Sequence, residues 1–361
     1  MWLDLLIILG KALFFISGVL TLTSFLTWME RKQSAVMQDR IGANRASIAG
    51  VRAFGLPHIF ADAIKMFFKE DYVPPGGDRL LHTIAPFTAL FFALMSFAAI
   101  PFGDAIEFAG RRIELQVFPL NVGLLFILAM MSMGIYGTFL AGFSSNNKYA
   151  FLGGLRASSQ MISYEITMGA TLVGLLMIYG TLDLAELNRA QGALIWGWLP
   201  KWGIFLQPVG FVLFLTAGMA ETKRVPFDMP EGESEIIGYF IEYSSMKFGA
   251  FFMTDFVETI LIAALIATLF FGGWQVPYLQ ADGFHFPWGS AWSLSWITVT
   301  VLQIVSFALK VFFFCWFLLL IRWTLPRFRY DQLMHLGWKI LLPVSVLNIF
   351  VTGLVLVLLK L

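Results

Sequence analysis

Between Ala220 and Lys247 the chain reads AETKRVPFDMPEGESEIIGYFIEYSSMK, and six of its 23 acidic residues, Glu221, Asp228, Glu231, Glu233, Glu235 and Glu242, fall inside that stretch. Membrane-length apolar runs flank it on both sides. Carboxylates crowded beside an apolar medium have raised proton affinity and can exchange protons near neutral pH, so the chemistry on offer is a proton relay. Early acids that complement a helix dipole, with the rest on a solvated face, would give the same pattern. Asp228 followed three places on by Glu231, with Pro230 between, is a helix-start signal, and predicts a helix from about Met229. On it Glu231, Glu235 and Glu242 fall at i, i+4 and i+11, one stripe beside Ile236, Ile237, Phe240 and Ile241. Like charges at i, i+4 cost about 0.2–0.5 kcal/mol per exposed pair, and more where water is scarce, so the stripe must be partnered or partly protonated.

The elements that hold these acids are apolar. With 58% hydrophobic and 13% charged residues in 361, the chain is outside the range of soluble domains and reads as an all-α polytopic membrane protein, a single membrane domain over 1–361. A net charge of +1 offers no global attraction to nucleic acid. One cysteine, Cys315, excludes an internal disulfide and any cysteine-ligated cluster, and four scattered histidines show no metal-ligand spacing. There is no GxGxxG or P-loop, so nucleotide chemistry belongs to a partner.

At about 20 apolar residues per span, eight helices are predicted, near Leu3–Thr27, His82–Pro101, Phe118–Gly142, Ser158–Tyr179, Trp202–Ala220, Phe248–Phe271, Leu294–Ile321 and Gly337–Leu359. The first lacks a basic leader region and a cleavage site, so it is expected to be retained. Segments 28–80, 144–157, 221–247 and 322–339 hold 17 lysines and arginines, against six on the other side. The positive-inside rule makes these the cytoplasmic segments, the last loop being 322–336, and puts both termini outside.

Further ionisable residues lie in and between the spans. Glu165 is expected about two turns into its helix, roughly 10 Å below the start, where an acid normally faces a bundle interior or a wet cavity. Asp255 and Glu258 sit one helical turn apart in the sixth span, and Lys310 lies near the middle of the seventh. LPHIFADAIKMFFKED places His58, Asp62, Lys65 and Lys69 on one helical face and Ile59, Phe60, Ile64, Phe67 and Phe68 on the other, too short to span and suited to the interface. It serves as a surface anchor or as the floor of a hydrophobic ligand chamber. Asp104–Gln116 reads as a short β-hairpin around Ala109-Gly110, while Thr181–Lys201 and Gly272–Ser293 suggest interfacial aromatic anchors and short surface helices.

MERK (Met29–Lys32), QDRIGANR, the DAIKMFFKE helix, SNNKYAFLGGLRASSQMISYE, AETKRVPFDMPEGESE with IEYSSMKF, and RWTLPRFRYDQLM occur in an order that closely resembles the H-subunit (mitochondrial subunit 1) family of proton-pumping NADH:quinone oxidoreductase, respiratory complex I. The resemblance covers nearly the whole chain. It implies a multi-pass component of a bacterial inner membrane that joins the peripheral arm to the membrane arm. Its partners would be the peripheral subunits carrying the terminal iron–sulfur cluster and the quinone site, small membrane subunits, antiporter-like subunits and lipid. By the same resemblance, Arg31, Arg40, Asp62 and Phe227 belong to the quinone chamber or its rim, and Glu165, Glu221, Glu231, Glu233, Glu235, Glu242 and Asp255 to the proton relay. Quinone is the implied substrate, with FMN and iron–sulfur clusters confined to partner subunits. The chain departs from the family pattern at Ala43, where proline is common, at Lys223, where asparagine is common, and at Asp255, where glutamate is more usual. A membrane anchor of a related hydrogenase or dehydrogenase, and a free-standing ion transporter, are the alternatives; the second calls for an inverted repeat and broken helices, and no convincing repeat is seen.

Overall fold

The structure is a computed structural model that describes residues 2–108, 111–195, 197–230, 238–280 and 282–359. Among them, seven helices are long and apolar enough to cross a membrane. In chain order the helices are α1 (Trp2–Met37), α2 (Pro57–Phe68), α3 (Arg79–Ser96), α4 (Gly123–Ser144), α5 (Lys148–Tyr179), α6 (Leu184–Gln191), α7 (Gly203–Leu206), α8 (Pro208–Glu221), α9 (Ser245–Phe270), α10 (Trp296–Thr324), α11 (Tyr330–His335) and α12 (Leu342–Leu359). The fifth predicted span, 202–220, is present as α7 and α8, broken at Gln207. Pro208 cannot donate to the preceding turn, and the polar groups freed at such a break must be met inside the protein. Gln207, 5% exposed, ties the break to α12 through its side chain: Nε2 donates to Thr352 Oγ1 at 2.5 Å, and Asn348 Nδ2 of α12 donates to Gln207 Oε1 at 2.9 Å.

α9 is the axis of the bundle. Of its apolar window 83% is buried within the protein, against 11% for α1 and 17% for the last span, so α9 is surrounded by helices while the outer two are left largely uncovered by the rest of the chain. Close approach depends on small residues, as expected where hydrocarbon solvent gives no hydrophobic drive between helices. A β-carbon on Gly137 of α4 would come within 2.7 Å of the Ala89 backbone of α3, and one on Gly142 within 3.2 Å of Gly154 Cα of α5.

Several predicted boundaries move. α1 runs on to Met37, so MERK is helical and extends beyond the membrane: 36 residues make a rod of about 54 Å against about 30 Å of hydrocarbon. α5 starts at Lys148 with Asn147 as its cap, accepting from Tyr149 N at 3.0 Å, so most of the predicted loop 144–157 is helix. Glu165 therefore lies about 25 Å along α5, near its middle, rather than two turns in. α2 is formed as expected, with Phe60, Ile64, Phe67 and Phe68 exposed, the arrangement of a helix lying in an interface.

The hairpin forms too: β1 (Ile106–Phe108) pairs antiparallel with β2 (Arg111–Ile113). A second small hairpin joins β3 (Leu194–Ile195) to β4 (Leu199–Pro200). The Gly272–Ser293 segment carries no surface helix among its described residues. It forms a three-stranded antiparallel sheet from β5 (Leu279–Gln280), β6 (Gly283–His285) and β7 (Ala291–Ser293). The pairing needs Gly283, at φ +136, where a β-carbon would collide with the Trp292 carbonyl at 1.9 Å.

At its described ends the stretch predicted as a helix from about Met229 is not helical: Met229 and Pro230 are outside any helix, Gly238 is extended, and Glu242 lies on a separate 3₁₀ turn, Tyr239–Glu242. A β-carbon on Gly238 would come within 2.3 Å of the Pro230 carbonyl. Glu231, Glu233 and Glu235 lie outside the described residues.

Lys310, in the middle of α10, closes the far end of α9. Its ammonium donates to the carbonyls of Phe271, Gly273 and Gln275 at 2.8, 2.9 and 2.7 Å and sits 4.9 Å from the Trp202 ring centroid. These carbonyls follow the helix terminus, where orphan acceptors and the negative dipole end favour a cation. Lys310→Met is expected to lower stability by about 2–4 kcal/mol, read as a lower melting temperature in detergent, because it strands three inward-facing carbonyls.

Candidate functional site

Beyond α8 the chain turns sharply at the end of the bundle where α1 leaves and α9 begins. Glu221, the last residue of α8, is 1% exposed, and neither carboxyl oxygen has a hydrogen-bond partner among the described residues. A carboxylate is doubly disfavoured there, by burial and by the negative end of its own helix. Two positions later Lys223 adopts a left-handed backbone, φ +54, just past the helix cap where glycine or asparagine is usual. That strained backbone delivers a 3%-exposed side chain to α9. Its ammonium is 3.1 Å from Glu258 Oε2, donates to Glu258 Oε1 at 3.3 Å, and is 3.6 Å from Asp255 Oδ1. Burial alone would penalise the ammonium, but the carboxylates around it, Glu258 foremost, outweigh that and hold its proton more tightly than water does. Glu221 is within electrostatic reach of Glu258, Glu165 and Lys223. Glu165 accepts a hydrogen bond from the Ser132 hydroxyl of α4.

The rest of the turn is fixed from four sides. Glu30 of MERK bridges Arg224 at 3.2 Å and Arg322 of α10 at 2.5 Å, and the Arg224 guanidinium lies 3.8 Å from the Phe256 ring centroid. Arg327 pairs with the fully buried Asp228 carboxylate at 2.7 Å. Gln160 of α5 donates to the carbonyls of Ala220 and Phe227, both at 2.6 Å. Phe227 stacks on Phe328 at 5.4 Å and touches Tyr164 at 5.9 Å. MERK thus divides its charges: Glu30 faces inward, while Arg31 reaches Asp62 of α2 at 2.6 Å on the outer side.

Of the predicted relay residues, Glu165, Glu221 and Asp255 come together. Glu242 stands apart: its Oε1 accepts from Asn147 Nδ2 at 2.6 Å at the edge of a cavity of about 690 Å³ lined with Lys148, Phe143 and Phe151. Of the predicted chamber residues, Arg31 and Asp62 form one ion pair, Phe227 is buried against Phe328 and Tyr164, and Arg40 is exposed on the turn after α1. Sequence reasoning assigned no role to Lys223, Glu30, Arg224 or Gln160. The first was visible as a departure from the family pattern, and the run ETKR, with cations two and three places after an acid at a span end, was the signal for Arg224.

Fold and site together define an all-α, multi-pass membrane protein whose bundle carries a row of ionisable side chains from a looped end to mid-helix. A family model described as NADH dehydrogenase matches residues 10–353. The chain is 42% identical over 347 residues to an NADH-quinone oxidoreductase H subunit of Cytophaga hutchinsonii, covering 96% of this chain and 95% of that protein. It is 45% identical to an NADH-quinone oxidoreductase H subunit of Geobacter sulfurreducens, with 94% and 93% covered, and 44% identical to one of Geobacter metallireducens, with 99% and 98% covered. The chain belongs to this NADH dehydrogenase family, that of the NADH-quinone oxidoreductase H subunits.

The two MERK ion pairs should differ in weight. Glu30, Arg224 and Arg322 are 12%, 10% and 20% exposed at the side chain, whereas Arg31 and Asp62 are 41% and 34% exposed. Glu30→Gln takes the shared carboxylate away from two guanidinium groups held indoors and is expected to cost about 3–5 kcal/mol. Asp62→Asn is expected to cost about 0–1 kcal/mol, since solvent screens that pair. Thermal unfolding of the two variants in detergent checks the ranking.

Proposed function

We propose that the chain is the membrane subunit of a proton-translocating NADH:quinone oxidoreductase, that it forms part of the quinone chamber, and that it passes the electrostatic consequence of quinone reduction into the membrane through buried carboxylates. The observation that carries this reading is Glu221, buried with both oxygens unpartnered among the described residues and within electrostatic reach of Glu165 in mid-helix and Glu258 on the bundle axis. A side chain placed at such cost, with no hydrogen-bond partner among the described residues, suits a group that alternates between protonated and ionised forms.

In this reading the loops after α1 and α8 lie on the cytoplasmic side, both termini are periplasmic, and 1–361 is one membrane domain of the bacterial inner membrane. The excess of lysine and arginine in those loops supports the orientation. Arg31, Asp62, Arg40 and Phe227 shape the chamber or its mouth, and the exposed apolar face of α2 lies in the interface where a lipid-soluble quinone travels. Peripheral subunits supply FMN, the iron–sulfur clusters and the remainder of the quinone site, and small and antiporter-like membrane subunits continue the proton path.

Quinone takes up two electrons and two protons to become quinol. Until the protons arrive, the added negative charge repels nearby carboxylates. At about 10 Å and an effective dielectric constant near 20, one unit charge shifts another's energy by about 1.7 kcal/mol, more than a tenfold change in proton occupancy. Glu221 and Glu165 respond in turn, while Glu231, Glu233, Glu235 and Glu242 form the approach to them on the loop side.

The test is purification of the native assembly with an assay of NADH-dependent, inhibitor-sensitive quinone reduction and proton uptake by inside-out vesicles. Glu221→Gln and Glu165→Gln are each expected to cut proton translocation by about tenfold or more in assembled complex. Full pumping in both would overturn the relay, and recovery of hydrogenase subunits in place of an NADH-oxidising arm would overturn the assignment to this enzyme.

A further inference from the structure

Lys223 is the one residue of the cluster whose position is strained at the backbone and whose side chain is fully engaged. A lysine in the left-handed region gives up roughly 1 kcal/mol or more relative to ordinary backbone, and conformations of this kind persist only where the surroundings impose them. What imposes it here is a pair of carboxylates, Asp255 and Glu258, one helical turn apart on α9 and facing the same ammonium. Two carboxylates this close inside a bundle cannot both stay ionised without a cation, because like charge and desolvation act in the same direction.

We infer that Lys223 is the resident counter-ion of the relay: it keeps Asp255 and Glu258 ionised together, and so leaves Glu221 as the member of the cluster that carries the exchangeable proton. The inference rests on the relay reading above and adds a positioning role for a side chain that touches no substrate. Among the described residues, the charged and titratable groups around Lys223 are Asp255 and Glu258 from α9, Glu221 from α8 and Tyr239 from the 3₁₀ turn. Glu165 of α5 adds to the field at Glu221, and Arg224, on the same turn, to that at Glu258. Lys223 is the cation in direct contact with both α9 carboxylates, so its removal changes their combined charge state, whereas a second cation at the same place preserves it.

The experiment compares Lys223→Arg, Lys223→Met and Lys223→Gln in the assembled complex. Inside-out vesicles are matched for complex content by NADH oxidation with an artificial acceptor, and proton uptake per quinone reduced is followed across pH. Losing the cation makes one of the two carboxyls keep its proton to higher pH, so the acidic limb of the profile is expected to move up by about one to three pH units in Lys223→Met and Lys223→Gln. Lys223→Arg is expected to keep the wild-type midpoint. The glutamine variant, polar and of similar length, keeps the test open if the methionine variant assembles poorly. An unmoved midpoint in either neutral variant overturns the inference, as does a uniform loss at every pH, which marks a structural role. If Glu221→Gln and Glu165→Gln abolish pumping while the Lys223 midpoint stays put, the inference fails alone. If those two variants pump normally, the relay itself falls.

Discussion

A charge inside a helical bundle has no water to lean on, and nearly every unusual feature of this chain answers that constraint. Where the charge is fixed, it is matched: Glu30 lies between two arginines, Asp228 has Arg327, and Lys310 has three carbonyls. At Glu221 no hydrogen-bond partner is provided among the described residues, and the nearby groups include two further acids. The contrast sets closed ion pairs, which stabilise a fold, against one open acid, the arrangement the proposed relay calls for.

The turn from Thr222 to Asp228 is where these two kinds of charge meet. It is held by α1 through Glu30, by α5 through Gln160, by α10 through Arg322 and by the segment before α11 through Arg327 and Phe328. A displacement of this turn would therefore be felt on several helices at once. Because Arg224 and Lys223 are adjacent, the Glu30 ion pair of MERK and the carboxylates of α9 share one short piece of backbone.

Much of this was legible in the chain. Runs of about 20 apolar residues identify spans because a bilayer core of about 30 Å requires that length of helix. The alternation of apolar and charged residues in α2 located an interfacial helix, and the polar and apolar alternation around residue 109 located a hairpin. Pairing partners were harder to read. Nothing in local spacing says that Lys223 meets residues 255 and 258, or that Lys310 caps a helix some 40 positions earlier, because such contacts depend on which helix faces turn toward each other. At the described end of the proposed stripe, Glu242 lies on a 3₁₀ turn of its own, and the close approach of Gly238 to the Pro230 carbonyl is again a contact that local spacing does not announce.

By itself, then, the sequence established an all-α membrane protein, its family, the concentration of acids after the fifth span and the basic bias of the loops around them, since hydropathy, motif order and charge are properties of the chain. Tertiary structure decided which acids are compensated and which are not. That distinction depends on distances of about 3–4 Å between residues far apart in sequence, where Coulomb energy and desolvation change steeply with separation.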